Sequence, residues 1–132
     1  MIFSFFPLLA LVVVLANLCM FVLNIPFENV LFAAKMPSGV VLGVSVGDGF
    51  VMLALILLYF EVWKAGRPRA SVLDHALSML LFVICLIEFL LVPKATHPVF
   101  LILTLITLLD VVAGFTVSLS AARRDIGVMP SA

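Results

Sequence analysis

Three carboxylates stand inside apolar stretches that otherwise read as membrane helices: Asp48, Glu88 and Asp110. An ionised aspartate at the centre of such a helix costs about 2.5–3.5 kcal/mol on insertion scales, so a proton, a bound cation or a partner's basic residue is expected to relieve it. No Lys or Arg lies in the middle of any apolar run to do so from within the chain. Three chemistries remain open for these acids: structural hydrogen bonding, contact with a partner chain, and passage of protons or cations. Taken as helical positions, Asp48 and Asp110 fall at similar depth, roughly 14–18 Å from the external end at 1.5 Å per residue. The pair is expected to face the protein interior, where two adjacent acids can share one proton. Glu88 falls nearer a helix end, within snorkelling reach of the surface or of Lys94.

The elements that must hold these acids follow from composition. The chain has 132 residues, of which 66% are hydrophobic and 11% charged, with a mean hydropathy of +1.42. Soluble domains hold about 45–50% apolar residues. The excess lies in four runs, 2–23, 39–63, 72–92 and 98–121, each near the ~20 residues that span a bilayer. The expected fold is all-α: a polytopic, four-transmembrane-helix bundle in which residues 1–132 form a single integral membrane domain. The first run carries no Lys or Arg ahead of it and no small-residue cleavage site directly after it, so it reads as a retained span rather than a secretory signal.

Charge sets the expected orientation. Lys64, Arg67 and Arg69 follow the second run and Arg123 and Arg124 the fourth, whereas Lys35 and Lys94 lie on the other side. Basic residues favour the cytoplasm, so both termini are expected there, in a bacterial inner membrane, with those five side chains near lipid headgroups. Gly66 and Pro68 end the second helix, and Ser71 with Asp74 reads as the capped start of the third. Pro93 closes the third, and Pro98 suits the first turn of the fourth because it has no N–H to leave unpaired. The stretch from Asn24 to Pro37 reads as a short interfacial helix or as an apolar loop packed on the bundle.

Small residues mark the expected contact faces. Gly39, Gly43 and Gly47 recur at every fourth position in the second run, a spacing that cuts a groove into one helix face and lets another backbone approach. Thr104, Thr107, Asp110, Gly114, Ser118 and Ala121 form a polar and small stripe along the fourth run, which turns Asp110 toward protein or a cavity.

Other chemistry finds little in the sequence. His75 and His97 belong to opposite membrane faces and cannot share a metal, and Cys19 and Cys85 sit singly among apolar neighbours. There is no phosphate-binding glycine loop and no nucleophile spaced with a base, so neither an enzyme nor a cofactor is expected. Three charges between Lys64 and Arg69 make too small a patch for nucleic acid. The reading that follows is a small accessory or assembly subunit, surrounded by membrane lipids and associating with itself or with a larger membrane complex. The alternative is a proton- or cation-conducting protein built on Asp48 and Asp110.

Overall fold

The computed structural model describes residues 6–66 and 72–128. Four α-helices carry most of them: α1 (Leu9–Asn17), α2 (Val46–Ala65), α3 (Val72–Leu91) and α4 (Pro98–Val128). Strands β1 (Val30–Lys35) and β2 (Val41–Ser45) form an antiparallel hairpin between α1 and α2. Helices α2 and α3 and the segment Pro98–Ser120 of α4 are long and apolar enough to cross a membrane, whereas the first apolar helix, Leu9–Val22, is shorter.

Helix α1 buries Leu9, Val12, Val13 and Ala16 and exposes Leu11 and Val14, the spacing of a single apolar face laid on a neighbour. Its last turn widens into a π-helix, Leu18–Val22, in which the Leu23 amide reaches back to the Leu18 carbonyl at 3.0 Å. Asn24 then takes φ +52°, a left-handed conformation that asparagine tolerates better than most residues, and the chain leaves the helix. From Leu9 to Val22 the rise is roughly 21 Å. This first helix is therefore shorter than the run of apolar sequence that encodes it.

The connection that follows is neither an interfacial helix nor a packed loop. Val30, Phe32, Ala33, Ala34 and Lys35 pair with Ser45, Val44, Gly43, Leu42 and Val41, with an irregularity between Val30 and Phe32. The strands are joined through Pro37 and Ser38, with the Gly39 amide donating to the Met36 carbonyl at 2.8 Å and Gly39 itself at φ +89°. Proline fits the second position of such a turn, and only glycine takes that positive φ without strain. The second apolar run is thus divided: its first part is the turn and β2, and its helix begins only at Val46.

Phe27 plugs the junction between hairpin and bundle, buried and edge-on to Phe50 at 6.0 Å. Its carbonyl accepts from the Gly47 amide at 2.9 Å, and the Asn29 carbonyl accepts from Val46 at 2.7 Å, so the first turn of α2 is tied to the entry of β1. Helices α2 and α4 run parallel, Gly47 lying against Val99 at one end and the Ser118 hydroxyl donating to the Ala65 carbonyl at the other. Phe100, Leu103 and Ile106 of α4 fill the centre of the core with Ala54, Leu81 and Cys85. α3 ends at Leu91, a single 3₁₀ turn follows over Pro93–Ala95, and α4 begins at Pro98.

Candidate functional site

At the end of the bundle away from the hairpin, polar side chains from three helices meet within apolar surroundings. Glu61 lies one turn before the end of α2 and is only 4% exposed. Its Oε1 accepts from the backbone amide of Leu8, at the start of α1. Leu8 occupies the N-cap position and offers no side-chain acceptor, so a carboxylate from α2 satisfies an amide that α1 cannot satisfy itself. Lys64 Nζ donates to the same Glu61 oxygen at 3.3 Å and to the Phe6 carbonyl at 3.0 Å, which clamps the start of α1 to the end of α2. Lys64 is therefore engaged within the fold rather than held out toward headgroups.

Asp110 sits deeper, on the inward stripe of α4, and is 4% exposed. The Ser78 hydroxyl of α3 hydrogen-bonds its carboxyl group, while Asp110 Oδ2 has no hydrogen-bond partner among the described residues. Glu61, Lys64, Asp74, His75, Ser78, Asp110 and Gly114 line a cavity of about 20 Å³ between α2, α3 and α4. Next to it, His75 Nε2 lies 2.8 Å from Ser118 Oγ, and its ring stacks on Phe115 at 4.6 Å. Because the Ser118 hydroxyl donates to the Ala65 carbonyl at 2.9 Å, its oxygen is left to accept, which places the imidazole hydrogen on Nε2. Gly114 faces His75 and Ala65, where a Cβ would meet both at ordinary contact distance, 3.8 Å.

The other expected acid is placed quite differently. Asp48 is exposed and is the third residue of α2, where its amide donates to Ser45 Oγ at 3.1 Å and its Oδ2 accepts from the Ser45 amide at 3.0 Å. This reciprocal pair is a capping box, which satisfies two otherwise orphaned amides at a helix start. Asp48 is thus a surface cap and not a deep residue. It lies level with the start of α4, roughly ten residues or 15 Å along the axis from Asp110, and the two carboxylates do not face each other. Glu88 is half-buried near the end of α3 and accepts from Asn17 Nδ2 at 3.2 Å, not from Lys94.

Polar contacts also gather at the hairpin end. Lys94 Nζ donates to Asn24 Oδ1 at 2.9 Å and lies 5.5 Å from the Phe21 ring centre. His97 Nδ1 accepts from the Val99 amide at 3.1 Å, so Nε2 donates to Glu28 Oε1 at 2.6 Å. That bond, aided by Glu28's own backbone amide, holds the Glu28 carboxyl below the usual glutamate range. Met20, Ile25, Pro26 and Phe27 join these groups around an open, mainly apolar hollow of about 350 Å³.

The expected glycine groove does not exist as a helix face. Gly39 is in the hairpin turn, and Gly43 is in β2 with open space on its α-carbon. Gly47 alone makes a close approach: a Cβ there would come within 2.5 Å of Val99 Cγ2 and 3.2 Å of Phe27 Cβ. Of the expected headgroup residues, Arg123 is exposed, and Arg67, Arg69 and the Arg124 side chain lie outside the described residues, as do Pro68 and Ser71. No group of three His, Cys, Asp or Glu side chains suited to a metal ion occurs among the described residues. Glu61 is the member of the buried cluster that sequence reasoning missed; its signal was a glutamate three residues before Lys64 at the close of an apolar run. No family model, no curated protein and no solved structure matches the chain.

Proposed function

We propose that this chain is a small integral membrane subunit, of the accessory or assembly kind, that associates with copies of itself or with a larger membrane complex. In this reading α1 to α4 are four spans of a bacterial inner membrane and both termini are cytoplasmic, following the five-to-two distribution of basic residues. The observation that carries it is the hairpin. Val30, Leu31, Phe32, Val41 and Leu42 are all exposed, with Phe32 at 56% and Val41 at 62%. Side chains alternate across a strand, so consecutive exposed apolar residues leave both faces of the ribbon uncovered.

A two-stranded ribbon is marginal by itself, and its outer edges offer a row of free backbone donors and acceptors. Apolar faces and open edges together are the form of a surface completed by another chain at the membrane boundary. Conduction between Asp48 and Asp110 draws no support from their separation or from the commitment of Asp48 to Ser45.

Gentle extraction in a mild detergent, followed by native mass determination and identification of co-purifying proteins, tests the proposal. The expected result is a mass above that of one chain, reduced by Phe32→Lys together with Val41→Lys while helicity is kept. A lone chain at every extraction condition, unchanged by those substitutions, would contradict it.

A further inference from the structure

We infer that the cavity among α2, α3 and α4 is a proton-binding site closed on the hairpin side, in which one proton and one water complete Asp110. This goes beyond the assembly reading and does not depend on it. Asp110 lines the cavity, and its buried Oδ2 has no hydrogen-bond partner among the described residues. A buried charged oxygen left in that state is costly, and a proton on it turns an orphaned acceptor into a donor. The cavity supplies the room, since about 20 Å³ exceeds the roughly 10–15 Å³ that a single water requires. Water there has the partners it needs in Asp110 Oδ2 and the polar groups around it.

The charged groups facing Asp110 argue the same way. From α2 come Glu61 and Lys64, and from α3 come Asp74 and His75. Lys64 donates to Glu61 and to the Phe6 carbonyl, so its ammonium is held at Glu61 and makes no hydrogen bond to Asp110 Oδ2. A metal ion is disfavoured by that ammonium at the wall. A proton needs no new ligands: hydronium gives up one O–H bond as the O–H bond at Oδ2 forms, water is released, and the reverse transfer to water unloads the site.

The apolar packing closes one end of the proton's route. Toward the hairpin, Leu81, Cys85, Leu103 and Ile106 are buried and apolar. Thr107 and Thr104 lie on the same face, but their hydroxyls donate to the Thr104 and Phe100 carbonyls at 2.6 and 2.8 Å, so neither has a hydrogen to pass on. Toward the other end, Asp74 and His75 stand where α3 begins. The site loads and unloads from that side alone.

Infrared spectroscopy of the full chain in lipid nanodiscs at neutral pH tests this. The expected result is a protonated-carboxyl C=O band that shifts on ¹³C-aspartate labelling, vanishes in Asp110→Asn and moves to higher frequency in Ser78→Ala. In proteoliposomes enclosing a pH-sensitive dye, an external acid jump should enter no faster than in protein-free vesicles. Absence of an aspartate-assigned band, or a band that survives Asp110→Asn, would overturn the proton, and an Asp110-dependent influx would overturn the closed side. Should Asp110→Asn fail to fold, the isotope shift in the unaltered chain and the Ser78→Ala displacement still decide. Neither readout depends on oligomeric mass, so failure here is distinct from failure of the assembly reading.

Discussion

Asp48 at the hairpin end gives its amide and a carboxylate oxygen to Ser45 and stands open to its surroundings. Asp110, roughly ten residues further along the bundle axis, is enclosed by three helices and keeps one oxygen without a described partner. Both are aspartates in apolar sequence, and the contrast comes from where each lies relative to a helix start. The first turn of a helix has spare amides that welcome a carboxylate, whereas a mid-helix aspartate finds every nearby amide already bonded and must turn to another helix. Ser78 offers Asp110 one such bond, and Glu61 fills the equivalent need of α1 from outside. Asp48 is thus satisfied within its own helix start, whereas Asp110 and Glu61 depend on other helices.

The largest effect should come from breaking the clamp at the enclosed end. Lys64→Met leaves Glu61 buried without its cation and is expected to cost about 3 kcal/mol, as removal of one partner from a buried pair does. Lys35→Met, on an exposed strand of the hairpin, should change stability by less than about 0.5 kcal/mol. Reversible unfolding in mixed micelles reads both. Adding Glu61→Gln to Lys64→Met should recover much of the loss, because the amide oxygen still accepts from Leu8; no recovery would mean that Lys64 acts by packing alone.

A smaller effect separates the glycines. Gly47→Ala forces Val99 and Phe27 apart and is expected to cost about 2 kcal/mol, within the usual range for overpacking. Gly43→Ala meets open space and should be nearly silent in the same unfolding assay. Equal costs at the two positions would restore a continuous glycine face and contradict the division of this segment into strand and helix.

The smallest effect is one of pH at the hairpin end. Glu28 is held below its ordinary value of 4.5 by His97, so its contribution is present above that value and is lost as pH falls through the lowered one. Protection of the Val46 and Gly47 amides, which bond the Asn29 and Phe27 carbonyls, should therefore fall on acidification below the ordinary glutamate value more than protection in α4 does, once intrinsic exchange rates are divided out. Glu28→Gln should remove most of that dependence. A pH response unchanged by Glu28→Gln would place its origin elsewhere.

Much of the helical architecture was legible because long apolar runs bounded by Pro93, Pro98 and Gly66 leave few alternatives. The inward turn of Thr104, Thr107 and Asp110 was legible too, since a three-and-four spacing fixes a helix face whatever surrounds it. The hairpin was not, because hydropathy alone does not distinguish a strand from a helix in a run as apolar as Val40–Val44. Local chemistry held the answer: Pro37, Ser38 and Gly39 form a turn just ahead of the β-branched Val40 and Val41, and Ser45 with Asp48 repeats the capping pattern expected at Ser71 and Asp74. Reading glycines 39, 43 and 47 as a helical groove overrode those signals. Glu61 was half legible: its spacing to Lys64 is local, but its bond to the Leu8 amide is a long-range contact that no local spacing encodes.

The division between an open cap and an enclosed carboxylate is tested most directly by labelling from water. In a background with Cys19→Ala and Cys85→Ala, Asp48→Cys and Asp110→Cys would each be exposed, in reconstituted bilayers, to a charged maleimide present on both sides. Cysteine at 48 should react within the time of an exposed control at Ser38→Cys, and cysteine at 110 should react only after detergent unfolding. Comparable labelling of both in the intact bilayer, or protection of both, would contradict the account.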